Sequence, residues 1–268
     1  MDLYSEDSEI DSICARIWGD DIHYGLYEGE EDRIEEAIRR AKAVMAEPLP
    51  LSSDSLVLQV SCGYGGAARY LAERFGCRVV ATDSSRRQLR EAHCLTARTP
   101  QAALIRFELA DYHRLPFRDA EFDCWWCQEA RLHSTDRPRV LTEAFRVLKP
   151  GGYAVLSDQI LRPVRFNPQE LRAVRERLQT NTIVGPADYT AMIQHVGFEL
   201  LEHRNWQKHA AIHRRKIRDR LAELMPTLID EIAPETLERG YQTSNDWAEL
   251  AEAGKLGFDY YLARKPSS

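Results

Sequence analysis

The 268-residue sequence predicts a doubly wound α/β fold with a seven-stranded, mostly parallel sheet and an antiparallel last strand. Two patterns predict it. Short apolar strands alternate with helical stretches between residues 56 and 158, and a glycine-rich turn follows the first strand. Beyond residue 158 this alternation stops, and helical insertions at 161–196 and 207–253 follow. We expect one domain of residues 1–268.

The first fifty residues are predicted to be helical. Between residues 29 and 47, apolar residues recur at three- and four-residue steps, which is typical of an amphipathic helix. Acidic residues crowd the start of this stretch and basic residues follow, in the order that the helix dipole favours. Pro48 and Pro50 are predicted to end it.

The core of the sheet is predicted over residues 51–160. Its strands are LVLQV at 56–60, RVVAT at 78–82, IRFEL at 105–109, FDCWWC at 122–127 and YAVLSD at 153–158. Its helices lie near 66–75, 85–98 and 136–147. Within 197–268, two further strands at 197–206 and 255–266 complete the sheet, on either side of the insertion 207–253.

Charge and composition exclude several classes of partner. The net charge of −6 disfavours nucleic acid, because binding to phosphates needs clustered basic residues. The basic run Lys208–Arg220 is interpreted as a solvated helix face. The sequence lacks an apolar run that could cross a bilayer, and its acidic N-terminus does not resemble a secretory signal. We therefore expect a cytoplasmic protein with no nucleic-acid or membrane partner; a homo-oligomer stays open.

The six cysteines show no paired spacing typical of a disulfide framework. Cys124 and Cys127 are three residues apart on a predicted strand, so their side chains are expected on opposite faces. Thiols on opposite faces cannot share a metal ion. The sequence therefore predicts a structural role for both cysteines and no metal site.

The first predicted strand runs into SCGYGGAARYLAERFG at 61–76, so glycines fall where a strand turns into a helix. Gly63 and Gly65 lack a Cβ, which lets the backbone approach a ligand and expose amides at the positive end of a helix. Asp83 follows at the end of the second strand, where a carboxylate can hold ribose hydroxyls. These features fit both a nicotinamide dinucleotide and S-adenosylmethionine.

Three later features separate the two cofactors. The third strand leads into ELADYHRLPF, which places Asp111 and Tyr112 at the carboxyl edge of the sheet, where an adenine amino group can be read. LPFRDAEFD precedes the fourth strand, and RVLKPGGYAVLSD follows the next helix. In the order and spacing of these motifs, residues 55–160 resemble the class I S-adenosylmethionine-dependent methyltransferases. The resemblance implies a Rossmann-like fold, S-adenosyl-L-methionine as cofactor and S-adenosyl-L-homocysteine as product.

Further segments resemble the glycine, sarcosine and dimethylglycine N-methyltransferases: IWGDDIHYGLYEG at 17–29, GYGGAARYLAERFGC at 63–77 and CQEARLHSTDRPRVLTEAFRVLKPGG at 127–152. This resemblance implies methyl transfer to the amine of a small molecule. It also implies a helical lid at 1–50, a cofactor-binding core at 51–160 and a helical substrate cap at 161–196. The implied cofactor-binding residues are Trp18, Gly63, Gly65, Asp83, Ser84, Asp111, Tyr112 and Gln128. The implied substrate-binding residues are Tyr24, Tyr27, Gln128 and His133, and the implied catalytic residues are His133, Tyr24 and His23.

Methyl transfer from a sulfonium needs alignment and desolvation rather than a covalent nucleophile. The aromatic faces of Trp18, Tyr24 or Tyr27 can stabilise a growing ammonium by cation–π contact. His133 or His23 can keep the amine unprotonated or pair with a carboxylate. These are the roles that we expect for the implied residues.

Two residues depart from the pattern of the family that the sequence resembles. Gln59 stands where the family usually has an acidic residue, and Ser61 stands where it usually has its first glycine. Arg69, one turn into the following helix, is interpreted as a surface ion-pair residue. Three functions stay open: methylation of a sarcosine-like amine, methylation of another N, O or C acceptor in natural-product biosynthesis, and cofactor binding without catalysis.

Overall fold

A computed structural model describes residues 8–130, 134, 136–178 and 184–267. Within these ranges, seven strands form one sheet in the order β3-β2-β1-β4-β5-β7-β6. They are β1 (Leu56–Val60), β2 (Arg78–Asp83), β3 (Ile105–Leu109), β4 (Phe122–Gln128), β5 (Leu148–Leu161), β6 (Glu199–Asn205) and β7 (Leu256–Arg264). β1 to β5 are parallel, whereas β7 is antiparallel to β5 and β6. The predicted fold class is confirmed.

Helices in the same ranges cover the sheet. They are α1 (Ser8–Trp18), α2 (Ile34–Ala46), α3 (Gly66–Phe75), α4 (Arg86–Thr96), α5 (Arg137–Val147), α6 (Pro168–Leu178), α7 (Pro186–Val196), α8 (Gln207–Leu228) and α9 (Pro234–Glu252). α1 packs on α8, and α2 packs on α3. The lid and cap roles of the terminal and inserted helices stay predictions. In the described part of the chain, no helix has the length and apolar character needed to span a bilayer.

β5 is longer than the sequence predicts. It has 14 residues because it is paired at both ends, Leu148 with Phe122 of β4 and Leu161 with Leu256 of β7. Ser157 is paired with Gln128, the last residue of β4. The end of β5 therefore extends past the end of β4 and borders the carboxyl edge of the parallel strands.

The two faces of the sheet pack against separate apolar cores. On β4, Cys124 and Trp126 belong to one core, whereas Trp125 and Cys127 belong to the other. Both cysteines are buried, and neither is in a disulfide. The predicted orientation of these two thiols on opposite faces is confirmed.

The interpretation of Lys208–Arg220 as a solvated helix face is wrong for one side of α8. Ala210, His213, Arg214 and Ile217 are buried there, because α8 packs against β7 and α9. Two of these four side chains are polar, so α8 brings hydrogen-bonding groups into the interior.

Candidate active site

The turn between β1 and α3 lies at the carboxyl edge of the sheet, and three of its residues have left-handed backbone conformations. Ser61, Gly63 and Gly65 have φ angles of 49°, 52° and 77°. A Cβ on Gly65 would lie 3.0 Å from the ring of Phe107, but nothing lies within 4 Å of a Cβ built on Gly63. The turn therefore has open space at Gly63, where a ligand can approach the backbone.

The N–H groups of Gly63 and Gly65 themselves form hydrogen bonds within the protein. The N–H of Gly63 donates to Oδ2 of Asp83 at 3.0 Å, and the N–H of Gly65 donates to the carbonyl of Cys62 at 2.8 Å. These bonds hold the turn in shape. The donors left for a ligand are the first amides of α3, which have no partner within the helix.

Asp83 ends β2 at this edge and is only 7% exposed. Its carboxylate accepts the N–H groups of Gly63 and, at 2.9 Å, Ser85. Burial raises the pKa of Asp83, although these backbone hydrogen bonds act to lower it. Since a carboxylate can accept about four hydrogen bonds, Asp83 keeps acceptor capacity for a ligand. Ser84, which follows it, is exposed.

Asp111 lies beside Asp83, because the N–H of Ala110 donates to the Asp83 carbonyl at 3.1 Å. The Asp111 carboxylate accepts the backbone N–H of His113 at 2.8 Å and lies 2.7 Å from its ring Nδ1. Burial acts to raise the pKa of Asp111, but these bonds outweigh it and the pKa is lowered. Tyr112 stacks on the His113 ring. Asp111 therefore presents a charged carboxylate at the same edge as Asp83.

Two buried glutamines lie on one face of the sheet near this edge. Gln59 of β1 is paired in register with Trp126 of β4, and the Trp126 indole donates to Oε1 of Gln128 at 2.9 Å. Among the described residues, Oε1 of Gln59 and Nε2 of Gln128 have no hydrogen-bond partner. Because an unpaired buried polar atom costs free energy, these two atoms fit a site that a ligand completes.

The segment before α2 lies directly on the glycine turn. The carboxyl group of Asp21 is so close to Gly66 that a Cβ there would overlap it. Arg69 donates to the carbonyls of Tyr64 at 2.5 Å and Asp20 at 3.1 Å. The interpretation of Arg69 as a surface ion-pair residue is therefore wrong: its guanidinium ties this segment to α3 through backbone carbonyls.

His23 belongs to a buried charged group with Asp21 and Lys42. The Asp21 carboxylate contacts both Nδ1 of His23 and Nζ of Lys42. Burial acts to raise the pKa of Asp21, but the two cations hold it well below its usual range. Burial acts to lower the pKa of His23, but Asp21 outweighs it and the pKa is raised. His23 is thus paired with a carboxylate of the protein itself, and its catalytic role stays a prediction.

The sequence prediction missed Glu129, which directly follows β4. Its φ of 48° is strained for a residue with a side chain, and such strain is typical of functional sites. Its Oε1 accepts the hydroxyl of Ser157 at 2.5 Å, and its Oε2 accepts the N–H of Tyr24 at 3.2 Å. Burial raises the pKa of Glu129 to about 7. The signal in the sequence was its position at the carboxyl end of a parallel strand, where ligands bind.

Tyr24 belongs to the segment between α1 and α2, packs against α8 and is 3% exposed. Its ring stacks on Phe258 with the centroids 4.7 Å apart. The guanidinium carbon of Arg214 lies 4.7 Å from the same ring centroid, and Nε of Arg214 donates to the hydroxyl. The Tyr24 ring therefore already makes a cation–π contact within the protein.

Tyr27 and Trp18 meet at His213, in the contact between the N-terminal region and α8. The Trp18 indole donates to Nε2 of His213 at 3.4 Å, and the Tyr27 hydroxyl lies 2.7 Å from Nδ1. Burial lowers the pKa of His213 well below its usual range, so the ring is neutral. Since an indole can only donate, Nδ1 of His213 carries the proton and donates to Tyr27. The structure thus places Trp18 against α8.

The predicted site residues fall into two groups. Gly63, Gly65, Asp83, Ser84, Asp111, Tyr112 and Gln128 lie at the carboxyl edge of β1 to β4. His23, Tyr24, Tyr27 and Trp18 lie beside them, on or near the segment that covers the edge. His133 lies outside the described residues, and its roles stay predictions.

A methyltransferase domain model matches residues 58–156. The chain is 32% identical to the sarcosine/dimethylglycine N-methyltransferase of Halorhodospira halochloris, over 98% of this chain and 94% of that protein. The chain belongs to the S-adenosylmethionine-dependent methyltransferases. This methyltransferase is also 28% identical to the 27-O-demethylrifamycin SV methyltransferase of Amycolatopsis mediterranei, over 95% of this chain and 93% of that protein.

A solved structure is similar to the methyltransferase over its whole length. It is a protein of Galdieria sulphuraria assigned as a sarcosine dimethylglycine methyltransferase, with 25% identity and a TM-score of 0.90. The match covers 99% of this chain and 100% of that one. The cofactor of the methyltransferase is accordingly S-adenosylmethionine, which decides between the two cofactors that the glycine turn left open.

Proposed function

We propose that this methyltransferase transfers a methyl group to the amine nitrogen of a small acceptor of the sarcosine or dimethylglycine type. Glu129 is the observation that carries the proposal, since it places a carboxylate with a pKa of about 7 beside Tyr24 at the end of β4. A carboxylate in such a site favours a cationic ammonium over a neutral hydroxyl group. The name of the Halorhodospira relative supports the same chemistry.

The residues around the glycine turn suit S-adenosylmethionine. The open side of Gly63 gives the cofactor access to the backbone, Asp83 offers acceptors for ribose hydroxyls, and Asp111 offers one for the adenine amino group. Oε1 of Gln59 can accept from the ammonium of the methionine part. When bound, the cofactor supplies an electrophilic methyl group on its sulfonium and leaves as S-adenosylhomocysteine.

The acceptor nitrogen needs a free lone pair to form the new N–C bond, but small aliphatic amines are protonated at neutral pH. Above a pH of about 7, Glu129 is ionised and can accept that proton. Ser157 and the N–H of Tyr24 hold its carboxylate in place before the acceptor arrives. The positive charge of His23 acts to lower the pKa of Glu129 and so favours its ionised form.

A methylation assay with matched acceptors tests the proposal. The protein is incubated with S-adenosylmethionine and either sarcosine, dimethylglycine or the hydroxyl analogue glycolate, and products are read by mass spectrometry. We expect methylation of the amines and none of glycolate. If only hydroxyl or carbon acceptors such as polyketide-type aglycones were methylated, the proposed amine acceptor would be wrong. Tight binding of S-adenosylhomocysteine without methylation of any acceptor would indicate a non-catalytic protein.

A further inference from the structure

Arg214 on α8 is a buried cation that no carboxylate neutralises among the described residues. It is 7% exposed, and none of the ion pairs within the described part of the chain includes it. Buried charges in proteins are normally paired, because removing an ion from water costs several kcal/mol. An arginine cannot avoid this cost by losing its proton. The free energy of burial therefore calls for an anion that the described chain does not supply.

The surroundings of Arg214 fix the guanidinium and leave part of it unused. The guanidinium carbon lies 4.7 Å from the ring centroid of Tyr24 and 5.7 Å from that of Trp247. Nε donates to the Tyr24 hydroxyl, and Nη2 donates to Oε1 of Gln159 at 2.8 Å. Nη1 has no hydrogen-bond partner in the described part of the chain. Of the five N–H groups of an arginine, about three remain for a ligand.

We propose that Arg214, oriented by Tyr24 and Gln159, binds a carboxylate of the methyl acceptor. The planar fork of a guanidinium matches the two oxygens of a carboxylate, which makes this pair both strong and directional. This inference rests on the proposed function for the identity of the acceptor, but its binding test does not require turnover.

Tyr24 links this subsite to Glu129. Its backbone N–H donates to the Glu129 carboxylate, and its hydroxyl accepts from Arg214. An acceptor that spans both groups has its amine at Glu129 and its carboxylate at Arg214, about one tyrosine side chain away. That spacing fits a small amino acid whose two charged groups are separated by few bonds.

S-adenosylmethionine also carries a carboxylate, in its methionine part. Of the partners of Arg214, Gln159 nevertheless lies on β5 and Trp247 on α9, and β5 is separated from the glycine turn after β1 by β4. In contrast, Arg69 and the Asp21–Lys42 pair lie at the glycine turn itself. The position of Arg214 therefore favours the acceptor over the cofactor as the source of the carboxylate.

Titration calorimetry of the protein saturated with S-adenosylhomocysteine tests the subsite. The probes are dimethylglycine, its neutral amide, propionate and benzoate. We expect at least one carboxylate to bind, and Arg214→Met to weaken its binding about 10- to 100-fold, as the loss of a charge-assisted hydrogen bond predicts. Arg214→Lys keeps the charge but loses the planar guanidinium, so its affinity for the carboxylate should lie between those of the wild type and Arg214→Met. The neutral amide should be insensitive to both substitutions.

Arg215→Met is the matched control, since Arg215 is the next residue of α8 and pairs with Glu30 at the surface. It should bind every probe as the wild type does. Unchanged carboxylate binding by Arg214→Met, or binding of no carboxylate by the wild type, would overturn the subsite. The subsite would also be overturned if Arg214→Met lost as much affinity for S-adenosylhomocysteine as for the carboxylate, because Arg214 would then be assigned to the cofactor. Arg214-dependent carboxylate binding without methylation of any amine would refute the proposed function and leave the subsite standing.

Discussion

The cofactor side and the acceptor side of the site are built in different ways. On the cofactor side, Gly63 bonds to Asp83 only 20 residues away, within one β-α-β unit. On the acceptor side, Tyr24 bonds to Glu129 over 105 residues and to Arg214 over 190. The first side is fixed by a local motif, whereas the second is assembled by the tertiary fold. Acceptor specificity can therefore change while the cofactor turn stays the same.

The two sides also differ in how their charges are compensated. The buried Asp83 carboxylate accepts backbone N–H groups from the glycine turn and from Ser85, two residues after it. Glu129 and Arg214 are held by side chains from distant segments, and Glu129 has a raised pKa. Perturbed groups of this kind are typical of sites where chemistry takes place. We therefore expect the larger kinetic effects on the acceptor side and the larger cofactor-binding effects at the turn.

The largest expected effect is on catalysis by Glu129→Gln. Glutamine keeps the shape of the side chain but cannot take up a proton, so we expect kcat for amine acceptors to fall about 10²- to 10⁴-fold. The wild-type rate should rise with pH through a value of about 7, as Glu129 becomes ionised, and the variant should lose this rise. Steady-state rates across this pH range measure both effects.

Glu121→Gln is the control, because Glu121 directly precedes β4 whereas Glu129 directly follows it. The Glu121 carboxylate accepts the N–H of Arg118. Its kcat should match that of the wild type. A Glu129→Gln enzyme with wild-type kcat and an unchanged pH profile would remove Glu129 from the mechanism. The acceptor side would then depend on residues outside those described.

The next largest effect is expected from Asp83→Asn on the cofactor side. The Asn amide has one acceptor oxygen where the carboxylate has two, and that oxygen is a weaker acceptor. The Kd for S-adenosylhomocysteine should therefore rise about 10- to 100-fold, as for a lost hydrogen bond to a charged group. Asp123→Asn is the control, since Asp123 accepts the N–H of Leu56 at 2.8 Å at the other end of the sheet. Equal affinities of the two variants in calorimetry would contradict a role for Asp83 in cofactor binding.

A third effect concerns stability rather than activity or binding. Burial raises the pKa of Glu129 from 4.5 to about 7, so between these values the native protein holds a proton that the unfolded chain has released. Native stability therefore falls as the pH rises through this window. Glu129→Gln abolishes this loss and should be about 3 kcal/mol more stable than wild type at pH 8, with no gain at pH 4.5. Chemical denaturation at the two pH values measures this, and a gain that is the same at both would exclude the titration of Glu129 as its cause.

The same contrast explains what the sequence could predict. The alternation of strands and helices and the motifs from Gly63 to Asp111 are local in the chain, so the fold and the cofactor edge were predictable. Arg69 and the basic run Lys208–Arg220 were misinterpreted because their partners lie on other elements. A charged side chain looks solvated in a sequence until the fold shows which face of its helix is buried. Glu129 was missed because its importance depends on its burial beside Tyr24.

The smallest expected effect is a gain of affinity on the cofactor side from Gln59→Glu. Oε1 of Gln59 is buried and has no partner among the described residues, and a carboxylate there would pair with the ammonium of S-adenosylmethionine by a charge-assisted bond. We expect S-adenosylhomocysteine, which carries the same ammonium, to bind about fivefold more tightly, or about 1 kcal/mol. The free protein should lose stability, because the new charge is then buried and unpaired. Thermal unfolding should therefore show a lower Tm without ligand and a larger rise with saturating ligand than in the wild type. Weaker binding, together with a lower Tm in both states, would mean that Gln59 does not face the cofactor's ammonium.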